Sequence, residues 1–60
     1  MQFLIQCPDK STFDAVKGLI GRTVHILREI SSKNVIMTGM ISNQMVLEIK
    51  DLGASVHRTA

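Results

Sequence analysis

Gly21-Arg22-Thr23-Val24-His25 recurs further along the chain as Gly53-Ala54-Ser55-Val56-His57. Each copy closes a segment that carries the same order of signals. The first runs from Phe3-Leu4-Ile5 through Ser11 to Gly21 and Val24-His25-Ile26. The second runs from Val35-Ile36-Met37 through Ser42 to Gly53 and Val56-His57. Each segment reads strand, helix, glycine stop, strand, so the chain is a doubled β-α-β unit. In 60 residues that arrangement leaves little room for an enzyme.

Outward from the repeat, Met1 to Cys7 alternates. Phe3, Ile5 and Cys7 point one way, and Gln2, Leu4 and Gln6 the other, as in a half-buried strand. Pro8-Asp9-Lys10 is turn chemistry. Ser11 is the expected N-cap of the first helix, with Asp14 as the reciprocal carboxylate of a capping box. Phe13, Val16, Leu19 and Ile20 then fall at helical spacing, and Gly21 is expected to end the helix in the left-handed region. The second strand is read over Thr23 to Arg28, with Val24 and Ile26 inward and His25 and Leu27 outward. Glu29 to Asn34 is a polar connection, and Val35 to Met40 the third strand. Ser42 caps a second helix with Met45, Val46, Ile49 and Leu52 on its apolar face. Gly53 ends it, and Ala54 to Arg58 is the last strand.

The order βαββαβ predicts a single domain, residues 1–60, of the α+β class: a ferredoxin-like sandwich. Right-handed crossovers place both helices on one face of a four-stranded antiparallel sheet. The repeat pairs Phe3 with Val35, Ile5 with Met37 and Val24 with Val56 as one inward set. The uncovered face is then Gln2, Leu4, Gln6, His25, Leu27, Ile36, Thr38, Ser55 and His57. Leu4 and Ile36 are expected side by side on the central strands, and apolar neighbours ringed by polar groups suggest a contact surface.

Composition bounds the rest. Hydrophobic residues make up 45% of the chain, and they must carry its stability because Cys7 is alone and cannot form an intramolecular disulfide. Cys7 is read as a buried strand residue. The net charge is +2, without a block of like charge. No apolar run is long enough to span a bilayer and no signal peptide is read, so the expectation is cytoplasmic, unless the chain is a fragment of a secreted precursor.

Catalytic, cofactor and metal readings fail on residue types. His25 and His57 fall on opposite edge strands, roughly 14 Å apart at about 4.8 Å per strand, too far to share an ion. The loop after the first strand, Cys7-Pro8-Asp9-Lys10, has one thiol where a metal-carrying module needs two. The chain has no Trp or Tyr, and Phe3 faces the helices, so base stacking lacks a platform. No clustered glycines precede a helix to cradle phosphate. The chain is read as non-enzymatic, with no cofactor and no metal.

Val35 to Met40, the helix Ser42 to Gly53 and the strand Ala54-Ser55-Val56 together resemble the propeptide-type inhibitor domain of subtilisin-like serine proteases, most clearly over residues 35–56. Phe3-Leu4-Ile5 and Gly21-Arg22-Thr23-Val24 resemble that family's opening strand and its entry to strand two. The chain departs from the family in its net positive charge and in its short run beyond the last strand. The resemblance implies an inhibitor or folding chaperone whose open sheet face docks on the protease while its tail enters the active site. Carried over, the docking residues are Leu4, His25, Leu27, Ile36, Thr38 and His57, and the tail is Arg58-Thr59-Ala60. The competing expectation is a small regulatory protein, bacterial or viral, that binds a host protein or self-associates through the same face. Nucleic-acid binding through Lys10, Lys17, Arg22, Arg28 and Lys33 is the third.

Overall fold

In a computed structural model that describes residues 2–59, the elements follow in the order β1 (Gln2–Gln6), α1 (Lys10–Ile20), β2 (Ile26–Ile30), β3 (Val35–Thr38), α2 (Asn43–Asp51) and β4 (Ser55–Thr59). A single 3₁₀ turn, Ser31–Lys33, joins β2 to β3. The sheet is antiparallel with strand order β2-β3-β1-β4, which is the α+β ferredoxin-like arrangement.

The helices form because their apolar residues recur at helical spacing and their first turns are capped. α1 buries Phe13, Val16 and Ile20, and α2 buries Ile49 with Met45 and Val46 packed beside it. The cap of α1 is Asp9, not Ser11: the Thr12 N–H donates to Asp9 Oδ1 at 2.8 Å, and the helix starts at Lys10. Ser42 caps α2 as expected, accepting from the Met45 N–H at 3.2 Å. Gly21 is right-handed at φ −58°, so α1 unwinds through a turn in which Thr23 N and Val24 N both donate to the Ile20 carbonyl. The left-handed positions are instead Asn34, at φ 55°, and Gly53, at φ 99°.

The hydrogen bonds from Thr12, the backbone one foremost, hold the Asp9 carboxyl below its ordinary range. A carboxyl depressed by folding contributes stability that is present above its unfolded pKa and lost as pH falls through the folded value. Asp9→Asn keeps a cap but cannot titrate. Melting temperatures followed from about pH 6 to about pH 2 should therefore fall less steeply in Asp9→Asn than in the parent chain. Identical slopes would show that the cap has no electrostatic part.

The core lies between sheet and helices. Ile5, Phe13, Val16, Ile20, Ile36 and Ile49 are fully buried there, with Cys7, Ile41 and Ala54 at its margins. The register corrects two inward assignments. Ile5 stands opposite Ile36 on one side and Val56 on the other, and Phe3 stands opposite Thr38. Ile36 and Thr38 therefore face the helices, and Val35 and Met37 face away. Thr38 tolerates complete burial because its hydroxyl donates to the Gly39 carbonyl at 3.0 Å.

Strand β2 begins later than expected, at Ile26, and its pairing slips between Ile26 and Arg28. Leu27 is the extra residue of this bulge. Beyond it, Arg28 pairs with Met37, Glu29 with Ile36 and Ile30 with Val35. The bulge turns Glu29 to the helix side, where it meets Lys17 of α1 at 2.9 Å. The sequence repeat does not survive as a structural register: His25 precedes β2, whereas His57 sits inside β4.

Candidate docking face

Opposite residues of an antiparallel pair share a face, so the uncovered side of the sheet can be read row by row. One row crosses all four strands as Arg28, Met37, Leu4 and His57. The next runs Ile30, Val35, Gln6 and Ser55, and Gln2 lies opposite Thr59 below them. Ile30, Val35, Met37 and Leu4 are half-buried by their neighbours alone, while Arg28, His57, Gln6 and Ser55 are exposed. The result is an apolar centre on the central strands, with a guanidinium and an imidazole at the two edges of its middle row.

Charge divides the molecule into two sides. Asp14, Glu48 and Asp51 lie on the helices, Asp9 caps α1, and Glu29 points to the helix layer and pairs with Lys17. These are all five acidic side chains of the chain, so the open face has none. The Lys17–Glu29 pair is largely solvated and contributes little to stability.

The expected contact residues divide accordingly. Leu4 and His57 lie on the open face. Ile36 and Thr38 do not: both are fully buried against the helices. Leu27 occupies the bulge and is 45% exposed, and His25 lies in the loop before β2, its carbonyl accepting from Gly39 N. Arg58 and Thr59 belong to β4, paired with Phe3 and Gln2, so they are held in the sheet rather than free as a tail. Arg58 shares the side of Phe3. The Thr59 hydroxyl is buried without a hydrogen-bond partner among the described residues. Ala60 lies outside the described residues.

Arg28, Ile30, Val35 and Met37 are residues of the open face that sequence reasoning missed. The signal lay in the connection Ile30 to Val35: Asn34 tolerates the left-handed region better than most residues, and a tight turn ending there pairs Ile30 with Val35.

Cys7 extends the β1–β3 ladder, its N–H donating to the Asn34 carbonyl at 2.9 Å. Burial first, and the Asp9 carboxylate second, push its thiol above the ordinary value, which opposes formation of a reactive thiolate. Among the described residues no pocket opens and no three His, Cys, Asp or Glu side chains gather to hold a metal ion. No described helix is long and apolar enough to cross a membrane. In comparisons with protein-family models, curated proteins and solved structures, the chain shows no significant match.

Proposed function

We propose that this chain is a non-enzymatic protein-binding module that docks through its open sheet face. The supporting observation is the Arg28-Met37-Leu4-His57 row, an apolar pair on the two central strands, on the side of the sheet away from both described helices. In one form of this reading the partner is a subtilisin-like protease, which the module inhibits or helps to fold. In the other it is a different regulatory target, bound by the same face.

The test is substitution on each side of the sheet. Met37→Glu should abolish partner binding, because its carboxylate stays solvated in the free monomer and is desolvated in the complex. Leu47→Glu, on the opposite layer at a residue that is 63% exposed, should leave binding unchanged. Binding measured by calorimetry or surface resonance that survives Met37→Glu but not Leu47→Glu would reverse the assignment. The protease form adds a requirement. Removal of Arg58, Thr59 and Ala60 should weaken inhibition far more than docking, since only an extended tail enters a substrate cleft. Because Arg58 and Thr59 pair with β1, inhibition would also require β4 to release its last residues.

A further inference from the structure

Building on that reading of the open face, we infer that its partner presents an apolar strip bounded at both ends by carboxylates. The partner is a protein surface of opposite charge, not the same face of a second copy of this chain. Two observations carry this. First, the middle row places Arg28 on one edge strand and His57 on the other, with Met37 and Leu4 between them. Three strand spacings of about 4.8 Å put the two polar ends roughly 14 Å apart. Arg28 offers a planar fork of donors that fits a carboxylate, and His57 offers a ring N–H in either protonation state. Second, no acidic side chain lies on this face, because Asp9, Asp14, Glu29, Glu48 and Asp51 all lie in the helix layer or at its edge.

A face of this composition is a poor match for itself. Stacking two copies open face to open face would press Arg28 and His57 against the same groups of the other copy, with no acidic side chain on that face to pair either. The apolar centre is equally a poor match for a polyphosphate, which would leave Met37, Leu4, Val35 and Ile30 against charged oxygens. An apolar strip flanked by acids satisfies both parts of the row. The rim charges then set orientation and encounter rate more than they set affinity.

The probe is a designed helical peptide with a Leu stripe and a Glu at each end of it. The two Glu are spaced about eleven residues apart on one side, or about 16 Å at about 1.5 Å per residue. Versions with both Glu replaced by Gln or by Lys serve as comparisons. Titrations into the labelled protein are followed by amide chemical shifts. The Glu peptide should shift residues of the Arg28-Met37-Leu4-His57 row. The Gln peptide should bind about three- to tenfold more weakly and the Lys peptide more weakly again. Arg28→Glu should invert that order, favouring the Lys peptide.

Equal binding of the three peptides to this row, lost in Met37→Glu and indifferent to Arg28→Glu, would overturn the acid-flanked partner and leave the docking face standing. Shifts confined to α1 and α2 would overturn both. Failure of the Glu peptide to bind at millimolar concentration would overturn the inference. So would a micromolar dimer seen by sedimentation that Met37→Glu dissociates, or a DNA or RNA oligonucleotide that shifts the same row more strongly than the Glu peptide.

Discussion

Ile36→Glu is expected to unfold the domain, whereas Met37→Glu, one residue along the same strand, is expected to leave it folded. Ile36 is fully buried, opposite Ile5 on the neighbouring central strand and within the cluster that joins sheet to helices. A carboxylate there would find no partner among these apolar neighbours. It would either stay ionised at a cost of several kcal/mol or bind a proton, and the Ile packing is lost in both cases. A domain of this length has a total stability of only about 3–9 kcal/mol at typical values per residue. Met37 lies on the other face, half-buried, in a row with Arg28 and His57, where a carboxylate stays hydrated. Far-UV circular dichroism with thermal and urea melts separates the two. A cooperative melt for Ile36→Glu at native temperature, together with loss of structure in Met37→Glu, would mean that the face assignment of β3 is inverted.

That contrast also marks where the sequence stops being informative. The element order was legible because each element carries its own period, although the cap of α1 at Asp9 and the start of β2 at Ile26 differ from the expected ends. Phe13, Val16 and Ile20 can only form a helical stripe, Ser42 caps α2, and Gly53 takes the left-handed turn after it. The facing of β3 was not legible from alternation. Val35-Ile36-Met37-Thr38 offers one purely apolar set, Val35 with Met37, and one mixed set, Ile36 with Thr38, and the mixed set is the buried one. Register is fixed by turn geometry as well as by hydrophobicity, and here the turn ending at left-handed Asn34 prevails. Thr38 then escapes the penalty of burial through its bond to the Gly39 carbonyl, which no local pattern announces.

The bulge at Leu27 had a similar effect on β2. Without the extra residue, simple alternation puts Leu27 outward with His25, as the sequence suggests. With it, Arg28 takes the position opposite Met37, and Glu29 turns to Lys17. One inserted residue thereby supplies the cation of the candidate docking row. A bulge arises from how two strands accommodate each other, so it cannot be read from the periodicity of either one. An open sheet face bearing Leu4 and His57 is legible in the sequence, but Arg28 and Met37, half of its middle row, come from pairing geometry.

Phe13→Ala should cost about 3–5 kcal/mol, enough to leave the chain at or beyond its folding midpoint at room temperature. Phe13 is the largest fully buried side chain, and it sits near the start of α1, where the helix meets the sheet. Truncation removes the apolar area of the ring and opens a cavity between two layers. The backbone cannot close that cavity without displacing Val16 and Ile20 from the same helix face. It also removes the ring over which the Lys10 ammonium rests at 4.7 Å, a smaller and solvent-screened loss. Phe13→Leu keeps most of the volume and should remain folded with a smaller loss. Leu4→Ala, which deletes a half-buried side chain on the open face, should lower the urea midpoint much less than Phe13→Ala. The measurement is the urea midpoint of each variant, with the slope checked for two-state behaviour. A Phe13→Ala midpoint no lower than that of Leu4→Ala would place the core on the wrong side of the sheet. Docking would then have to be sought on the helices.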